Sequence, residues 1–455
     1  MAIAASFVLM AASCQKESSS GETAPQLELE KTTVEFTAQA GEQTIGFSAN
    51  ERPSAVKNGD WLTVSVNYSD GKGSITVKVA ANEKTAERTA AVSVVCGSLK
   101  KSIDVRQAAK EEEPAPPSGK TELNPAKELH NGKATPEAKA LYAKMLSHYG
   151  KKTISGAMGG TAWETSYCDY IANAAGEYPA IVGFDYLFSN WPPKAWDKCP
   201  DYADITPVKK ASDAGSIIQI GWHWCVPEKE GETDLNNYSF NTKKFSVRRA
   251  LTEGTWEHDM IDSQIEKVAS YMKHIADAKI PVLFRPLHEA AGDYTWGAWF
   301  WWGNDGAEAC RELWVYLHDK LTGEYGLNNL IWVWTAQTSN EGKLAGADQL
   351  KEWYPGDEYV DIVGADLYPD TKWTTQTEAF NLVNNSVDGG KMIVLSEFGN
   401  MLDFDKCFKE DAPWGYFMNW CDTDENGSPK FFGNNTAADW KTVLEGSNIL
   451  NRGDL

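Results

Sequence analysis

The chain has 455 residues, of which 42% are hydrophobic and 24% are charged, and its 64 Asp and Glu against 43 Lys and Arg give a formal net charge of −21. This composition is that of a globular protein with two or three domains, and it excludes collagen-like, coiled-coil and wholly disordered chains. The negative charge also argues against a general nucleic-acid-binding protein, because phosphate backbones would be repelled.

The first residues resemble an export signal. Residues 2–12 form an apolar run that is too short to span a bilayer as a helix, and it ends in small residues followed by Cys14. Such a pattern resembles a bacterial lipobox, in which cleavage leaves the cysteine as the lipidated first residue. We therefore expect residues 1–25 to be a lipoprotein-type signal peptide and flexible tether. This predicts an exported protein, anchored to the outer membrane of a Gram-negative bacterium; an ordinary cleaved signal is the alternative.

Seven further cysteines have no spacing typical of a metal site or a CxxC motif. Because seven is odd, at least one thiol is expected to be free or paired between chains, and the disulfide connectivity stays open. The seven are Cys96, Cys168, Cys199, Cys225, Cys310, Cys407 and Cys421.

Residues 26–108 contain short stretches of alternating apolar and polar residues, such as 33–37, 74–79 and 91–95, separated by turn residues. This pattern predicts a small antiparallel, immunoglobulin-like β-sandwich. The segments 61–62, 71–73, 79–82, 87–88 and 103–107 resemble those of a BACON domain, a module often found ahead of glycan-degrading domains. Trp61 is interpreted as a core aromatic, with a sugar-binding platform as the alternative. Residues 109–120, rich in Glu and Pro, are predicted to be a stiff linker.

Residues 121–455 alternate between short apolar strands and longer amphipathic segments such as 260–278. Eight strands alternating with helices predict an α/β domain of the (β/α)8 TIM-barrel type, whose chemistry lies at the carboxyl ends of the strands. The predicted strands are 153–158, 180–185, 217–223, 281–289, 330–335, 361–368, 392–398 and 415–420.

Two glutamates, Glu289 and Glu397, end the fourth and seventh predicted strands and so face the same mouth of the barrel. Carboxylates are rarely buried in apolar strands without a reason. Glycoside hydrolysis needs one carboxylic acid to protonate the leaving oxygen and a second carboxylate at the anomeric carbon. The alternative is that both form structural salt bridges with Arg285 or Lys391.

The segment that follows Glu289 is unusually aromatic, because residues 296–303 contain four Trp and one Phe. Together with 285–289 and 395–399, the stretch 299–303 resembles the signatures of glycoside hydrolase family 26, in order and in strand context. The resemblance covers about residues 130–450. It implies a (β/α)8 glycosidase whose best-populated activity is that of an endo-β-1,4-mannanase.

Carried over residue by residue, the resemblance implies that Glu289 is the general acid/base and Glu397 the nucleophile of a retaining reaction. That mechanism places the two carboxyl groups about 5 to 5.5 Å apart and requires no metal and no cofactor. Glu289 must begin protonated, and the Trp-rich loop is expected to raise its pKa by desolvation.

The resemblance also implies a set of substrate-binding residues. Tyr368 would orient the nucleophile, and His223 and His288 would line the cleavage point, while Trp299 and Trp420, and more weakly Trp163, would stack on sugar rings. Residues 290–298 form a longer link than the family pattern predicts, which bears on the adjacent subsites. The residues assigned to binding are His223, His288, Trp299, Tyr368, Trp420 and Trp163.

The expected partner is a neutral β-mannan-type polysaccharide, with no nucleic acid, membrane attachment through a lipid anchor only, and a monomeric protein. Within the enzymes, the alternatives are a mixed-linkage β-1,3-1,4-glucanase or a β-1,3-xylanase. Outside them, the alternative is a glycan-capture lipoprotein without catalysis. The presence of both Glu289 and Glu397 favours an enzyme, because binding alone requires neither carboxylate.

Overall fold

A computed structural model describes residues 24–82, 84, 86–110, 121–197, 199–292, 294, 297–340 and 343–455. The predicted signal segment with Cys14, and residues 111–120 of the predicted linker, lie outside these residues. The chain divides into two compact units, Met1–Ala115 and Pro116–Leu455. None of the helices found in the described ranges is both long and apolar enough to cross a membrane.

The first unit contains two four-stranded sheets. One has the strand order Leu27–Leu29, Gly41–Ala49, Lys72–Val79, Leu62–Ser69; the other has the order Thr33–Phe36, Leu99–Gln107, Arg88–Cys96, Ser54–Lys57. Alternate residues of these strands are buried, as in Lys72–Val79, so that each sheet turns one apolar face to a shared core. The predicted β-sandwich is confirmed. Its pairing differs in one place, because Thr33–Phe36 runs parallel to Leu99–Gln107.

Trp61 packs at the edge of this core and is half-buried. The guanidinium carbon of Arg88 lies 4.4 Å from the centroid of its ring, a cation–π contact. The ring is therefore already covered in part by the protein itself, which agrees with the interpretation of Trp61 as a core aromatic.

The second unit is a closed barrel of eight parallel strands within the described residues. The predicted (β/α)8 fold is confirmed. The strands are apolar and almost wholly buried because helices cover their outer faces. In barrel order the strands are Gly156–Met158, Ile181–Asp185, Ile217–Trp222, Val282–Pro286, Leu330–Ala336, Ile362–Leu367, Met392–Phe398 and Phe417–Asn419.

The helices of this unit follow the predicted alternation with the strands. The long helix Trp256–Asp277 begins four residues before the predicted start because the Thr255 hydroxyl caps it and accepts the His258 N–H. The helices are Pro136–His148, Ser166–Ala175, Thr206–Asp213, Val247–Ala250, Trp256–Asp277, Gly306–His318, Ala347–Trp353, Thr377–Ser386, Phe404–Lys409 and Ala437–Leu444.

Two predicted strands are shorter in the barrel than the apolar pattern suggests. The predicted first strand is divided: Thr153–Ile154 pairs with Ile449–Leu450, and only Gly156–Met158 enters the barrel. The fourth strand stops at Pro286 because Leu287 and Glu289 adopt left-handed backbone conformations, with φ of 50° and 51°. The chain therefore turns sharply at the point where Glu289 enters the mouth of the barrel.

The seven cysteines after Cys14 all carry free thiols, and six of them are buried. The expectation of at least one free thiol is therefore met without a disulfide among the described residues. Buried thiols of this kind behave as small apolar side chains.

Candidate active site

Three carboxylates meet at the mouth of the barrel. Asp366 and Glu397 come from the sixth and seventh strands and are 4% and 7% exposed, while Glu289 follows the fourth strand. One oxygen from each of the three lies within 4.8 Å of one from each of the others. This places Glu289 and Glu397 at a separation compatible with a retaining glycosidase, whose carboxyl groups stand about 5 to 5.5 Å apart.

Arg285, on the fourth strand, holds two of these carboxylates. Its Nη1 donates to Oε2 of Glu397 at 3.0 Å, its Nη2 donates to Asp366, and its Nε donates to the Thr335 hydroxyl at 2.9 Å. The guanidinium is 3% exposed, so these interactions are little screened by water. Arg285 therefore fixes one oxygen of Glu397 through a buried, charge-assisted hydrogen bond.

The second oxygen of Glu397 is held by Tyr368, whose hydroxyl donates to Oε1. Burial and the adjacent carboxylate raise the pKa of Tyr368, so the phenol keeps its proton and remains a donor. With one donor on each oxygen, the carboxylate plane of Glu397 has a fixed orientation towards the cleft.

Glu289 has the opposite electrostatic setting. Burial, followed by the nearby charge of Glu397, raises the pKa of Glu289 to about 7, although Arg285 and the Trp299 indole N–H act in the other direction. That N–H donates to Oε2 of Glu289 at 2.9 Å. At neutral pH the side chain of Glu289 therefore carries a proton in a large share of the protein molecules. Glu397, in contrast, is ion-paired with Arg285.

Two histidines line the same cleft with opposite tendencies. Nδ1 of His223 donates to the Asp185 carboxylate at 2.9 Å, since a carboxylate can only accept. Burial lowers the pKa of His223, but Asp185 outweighs burial and raises it above its ordinary value. Burial, with Arg285 and His223 nearby, holds the pKa of His288 well below its ordinary value. The planes of the two rings form an angle of 70°, with centroids 4.5 Å apart.

His288 also has a buried Nδ1 that finds no hydrogen-bond partner in the described part of the protein. Its backbone is fixed, because the Trp302 indole N–H donates to the His288 carbonyl at 2.8 Å. This nitrogen is enclosed by the protein, and the lowered pKa keeps the His288 ring neutral.

The aromatic segment after Glu289 divides into buried and exposed parts. Trp301 and Trp302 are fully buried and cap the barrel, whereas Trp299 is 36% exposed beside Glu289. In the extended link, Tyr294 donates its hydroxyl to the Gln337 carbonyl at 2.7 Å. Asp293, Thr295 and Trp296 of that link lie outside the described residues.

The remaining predicted stacking residues differ in their access to the cleft. Trp420 is half-buried, with its ring centroid 5.7 Å from that of His223. Trp163 is only 8% exposed: its ring packs against Phe184, Tyr186 and Tyr202, and its indole N–H donates to the Asp204 carbonyl. This corrects the interpretation of Trp163, because a ring packed in the core has little surface left for a sugar.

Three functional positions had no role in the sequence-based interpretation. Asp366, Asp185 and Thr335 each bind a site residue, although the first two were visible as polar residues at strand ends. Lys391 was considered as a salt-bridge partner for the glutamates, but it lies at the opposite end of the barrel, where it donates to the Val360 carbonyl. Of the two cations considered as salt-bridge partners, Arg285 pairs with Glu397 and Lys391 lies elsewhere.

The carboxylate cluster has the oxygen donors that a cation prefers. However, a guanidinium cation already occupies the centre of the cluster, because Arg285 pairs with both Asp366 and Glu397. The positive charge that these carboxylate oxygens bind is therefore that of Arg285. The chemistry that the site can perform is proton transfer at Glu289 and nucleophilic attack by Glu397.

Comparisons with known proteins agree with this geometry. A family model described as glycosyl hydrolase family 26 matches residues 130–453, and one described as a putative N-terminal binding domain, BACON, matches residues 47–108. The chain is 35% identical over 310 residues to mannan endo-1,4-beta-mannosidase A of Piromyces sp, which covers 66% of this chain and 46% of that protein. The chain thus spans about half the length of the curated relatives it matches.

Solved structures give the same picture. The GH26 domain of an endo-beta-mannanase/endo-beta-glucanase from Prevotella bryantii aligns with a TM-score of 0.64 and 33% identity, covering 72% of this chain and 99% of that one. A ruminal GH26 endo-beta-1,4-mannanase aligns with a TM-score of 0.63 and 26% identity, covering 95% of this chain and 90% of that one.

Proposed function

Since this chain belongs to glycosyl hydrolase family 26, we propose that it is an endo-acting glycosidase that cleaves β-1,4-mannosidic bonds in mannan, glucomannan or galactomannan. One observation carries the proposal: Glu289, whose pKa is raised to about 7, and the ion-paired Glu397 present oxygens within 4.8 Å of each other at the mouth of the barrel. The similar proteins from Piromyces sp and from the rumen are mannanases, which supports mannan as the substrate.

In the first step, Glu397 attacks the anomeric carbon of the sugar while Glu289 protonates the glycosidic oxygen of the leaving chain. Arg285 and Tyr368 hold the two oxygens of Glu397, so little reorientation is needed on attack. The products of this step are a covalent glycosyl-enzyme and a released chain with a free hydroxyl.

In the second step, Glu289 has lost its proton and accepts one from water, which attacks the anomeric carbon and releases Glu397. Forming the ester removes the negative charge of Glu397, and that charge was one of the causes that raised the pKa of Glu289. The pKa of Glu289 therefore falls in the intermediate, which matches its change of role from acid to base. Two inversions leave the anomeric configuration unchanged.

The histidines complete the cleavage point. We assign to His288 and to His223, which Asp185 orients, contacts with the sugar at the cleavage point. Trp299 serves two purposes, since its N–H is bound to Glu289 while 36% of the residue is exposed for stacking.

The test is a comparison of four polysaccharides: galactomannan, glucomannan, mixed-linkage glucan and β-1,3-xylan. Reducing-sugar release and product chromatography should give manno-oligosaccharides from the first two, and NMR of the earliest products should show the β-anomer. Cleavage of only the glucan or the xylan would contradict mannan as the substrate and leave the proposed mechanism in place. Cleavage of none, with binding retained, would favour glycan capture.

We further propose that the mature protein is a monomer attached to the outer membrane through lipid on Cys14. The apolar run before that residue and the polar segment after it support this. Metabolic labelling with a fatty acid in an expressing Gram-negative cell should mark the wild type and not Cys14→Ala. Labelling of neither protein would instead favour an ordinary cleaved signal. Light scattering on the purified enzyme tests the monomer.

A further inference from the structure

The loop that leaves the sixth barrel strand carries an unusual tryptophan. Trp373 has a backbone φ of 65°, in the left-handed region that bulky residues seldom adopt, and it is 38% exposed. Four residues lie between Tyr368 and Trp373, so their Cα atoms are at most about 18 Å apart. Trp373 therefore belongs to the loop at the carboxyl end of the sixth strand, the end at which the carboxylates meet, and its backbone conformation costs free energy.

The backbone on both sides of Trp373 is held in place. Before it, Lys372 forms a 2.6 Å ion pair with Asp439 of the helix Ala437–Leu444. The N–H of Trp373 itself donates to the Met401 carbonyl at 2.6 Å. After it, the Thr374 carbonyl accepts the N–H of Asp403 at 3.0 Å. These contacts hold the backbone in the left-handed conformation. A strained backbone conformation persists when the surrounding structure fixes it in this way.

Among the described residues, no other aromatic ring stacks on that of Trp373. Trp196, which is 39% exposed on the loop after the second strand, makes a useful contrast. Its ring lies edge-on to Phe188 and Trp191, with centroid distances of 5.1 and 6.2 Å. At Trp373 the backbone is fixed, no aromatic ring among the described residues pairs with the indole, and 38% of the residue is exposed.

The charges around the ring indicate the kind of ligand. The adjacent cation in the chain, Lys372, is paired with Asp439. Glu410, which accepts the hydroxyls of Thr375 and Thr377, is paired with Lys406. Both lysines are therefore already neutralised by carboxylates, a setting that offers little to an anionic polysaccharide and suits a neutral sugar ring.

We propose that Trp373 is a distal sugar-binding residue that stacks on one pyranose ring of the bound neutral polysaccharide, beyond the sugars at the cleavage point. The inference rests on the proposed function, because it needs a glycan chain in the cleft. An aromatic face offers a large, rigid apolar surface at little conformational cost. The strained turn is then the means by which the loop presents that face.

Trp373→Gly separates binding from folding, because glycine adopts a positive φ without strain. The variant should stay folded and melt close to the wild-type temperature, because relief of the strained φ offsets the lost packing of the indole. Its KM for the polysaccharide should rise about tenfold with little change in kcat, and Trp373→Phe should restore most of the loss. With an aryl mannobioside, too short to reach the loop, kcat/KM should stay within about twofold.

Gln376→Gly is the matched control, since Gln376 has a φ of 52° in the same loop and no aromatic ring. It should relieve the same kind of strain and leave the KM for the polysaccharide unchanged. An equal rise in KM for Gln376→Gly, or an unchanged KM for Trp373→Gly, would overturn the proposal.

The four-polysaccharide assay with wild type keeps this test separate from that of the function. If only glucan or xylan is cleaved, mannan specificity fails, and the ratio of KM values between wild type and Trp373→Gly on that substrate still decides the role of Trp373. If nothing is cleaved, retardation in gels containing each polysaccharide replaces KM. Equal migration of the two proteins in every gel would overturn the proposal.

Discussion

Both ends of the barrel bury charged groups, but they satisfy them in different ways. At the amino-terminal end, Asp361 accepts the backbone N–H groups of Trp332 at 2.8 Å and His130 at 2.9 Å, and Nδ1 of His130 at 2.8 Å. Lys391 donates to the Val360 carbonyl at 2.7 Å. These partners are mostly backbone groups, which cannot change their charge, so this end is built for stability.

At the carboxyl-terminal end, three carboxylates share one guanidinium. Asp366 and Glu397 pair with Arg285, and Glu289 is left with an excess of negative charge around it and a pKa of about 7. Burial of a carboxylate is therefore common to both ends. What distinguishes the active end is that its carboxylates lie against one another, so that the charge of Glu397 helps to raise the pKa of Glu289 and a proton can move at little cost near neutral pH.

The largest expected effect is that of Glu397→Ala. This substitution at the active end of the barrel should abolish hydrolysis and leave the fold intact. Hydrolysis of mannan should fall by about 10⁴-fold or more, because no covalent intermediate can form. The melting temperature should change little, because Arg285 keeps its contact with Asp366. Reducing-sugar release and thermal unfolding measure the two quantities. Near-normal hydrolysis would remove Glu397 from the nucleophile's role.

Glu289→Ala should lower kcat/KM for the polysaccharide by about 10³-fold, because general acid catalysis is lost. The same variant should keep most of its kcat/KM for a dinitrophenyl mannoside, whose leaving group departs without protonation. The two substrates are assayed side by side with one enzyme preparation. An equal loss on both would contradict the acid role and would make Glu289 a structural carboxylate like Asp361.

The barrel and the sandwich could be predicted from the sequence because both rest on simple periodicities. Strands covered on both faces give continuous apolar runs, and strands covered on one face alternate. The fourth strand was overestimated for a physical reason. The strand ends where Leu287 and Glu289 adopt positive φ angles. Leucine and glutamate rarely adopt such angles, so the sequence does not predict this turn.

The site was predictable only where a strand-end position alone defines a role. Glu289 and Glu397 follow from that rule, but the pairing of Asp366 with Arg285 depends on which side chains neighbouring strands bring together. Trp163 and Trp299 look alike in sequence, as aromatics just after a strand. One turns into the core and the other into the cleft, a difference that only tertiary packing decides.

Asp361→Ala should show the reverse behaviour of Glu397→Ala. Its loss leaves the buried N–H of Trp332 without an acceptor, so we expect the free energy of unfolding to fall by about 3 kcal/mol. The kcat at 25 °C should remain within about twofold, since the site lies at the other end of the barrel. Asp277→Ala, which removes an exposed ion pair with Lys273, is the control and should cost less than about 0.5 kcal/mol. A loss of kcat without a loss of stability would contradict the view that the amino-terminal end of the barrel serves stability.

The pH dependence of the wild type tests the electrostatics of the active end. Glu289 must be protonated in the free enzyme, and its pKa is raised to about 7. The value of kcat/KM for the polysaccharide should therefore be constant just below that pH and fall about tenfold per unit above it. Glu289→Ala should lose this limb. A wild-type profile that stays flat to pH 9 would assign the proton to another group.

The smallest expected effect concerns the hydrogen bond that Trp299 makes to Glu289. The indole N–H favours the ionised carboxylate, so Trp299→Phe should raise the pKa of Glu289. The falling limb of the kcat/KM profile should move about half a unit to higher pH. Phe keeps an aromatic face, which limits the change in substrate binding, and Trp196→Phe, remote from the carboxylates in the sequence, should leave the limb in place. A shift to lower pH would mean that Trp299 acts through desolvation of Glu289 instead of through its N–H, and the loss of the ring's bulk would then dominate.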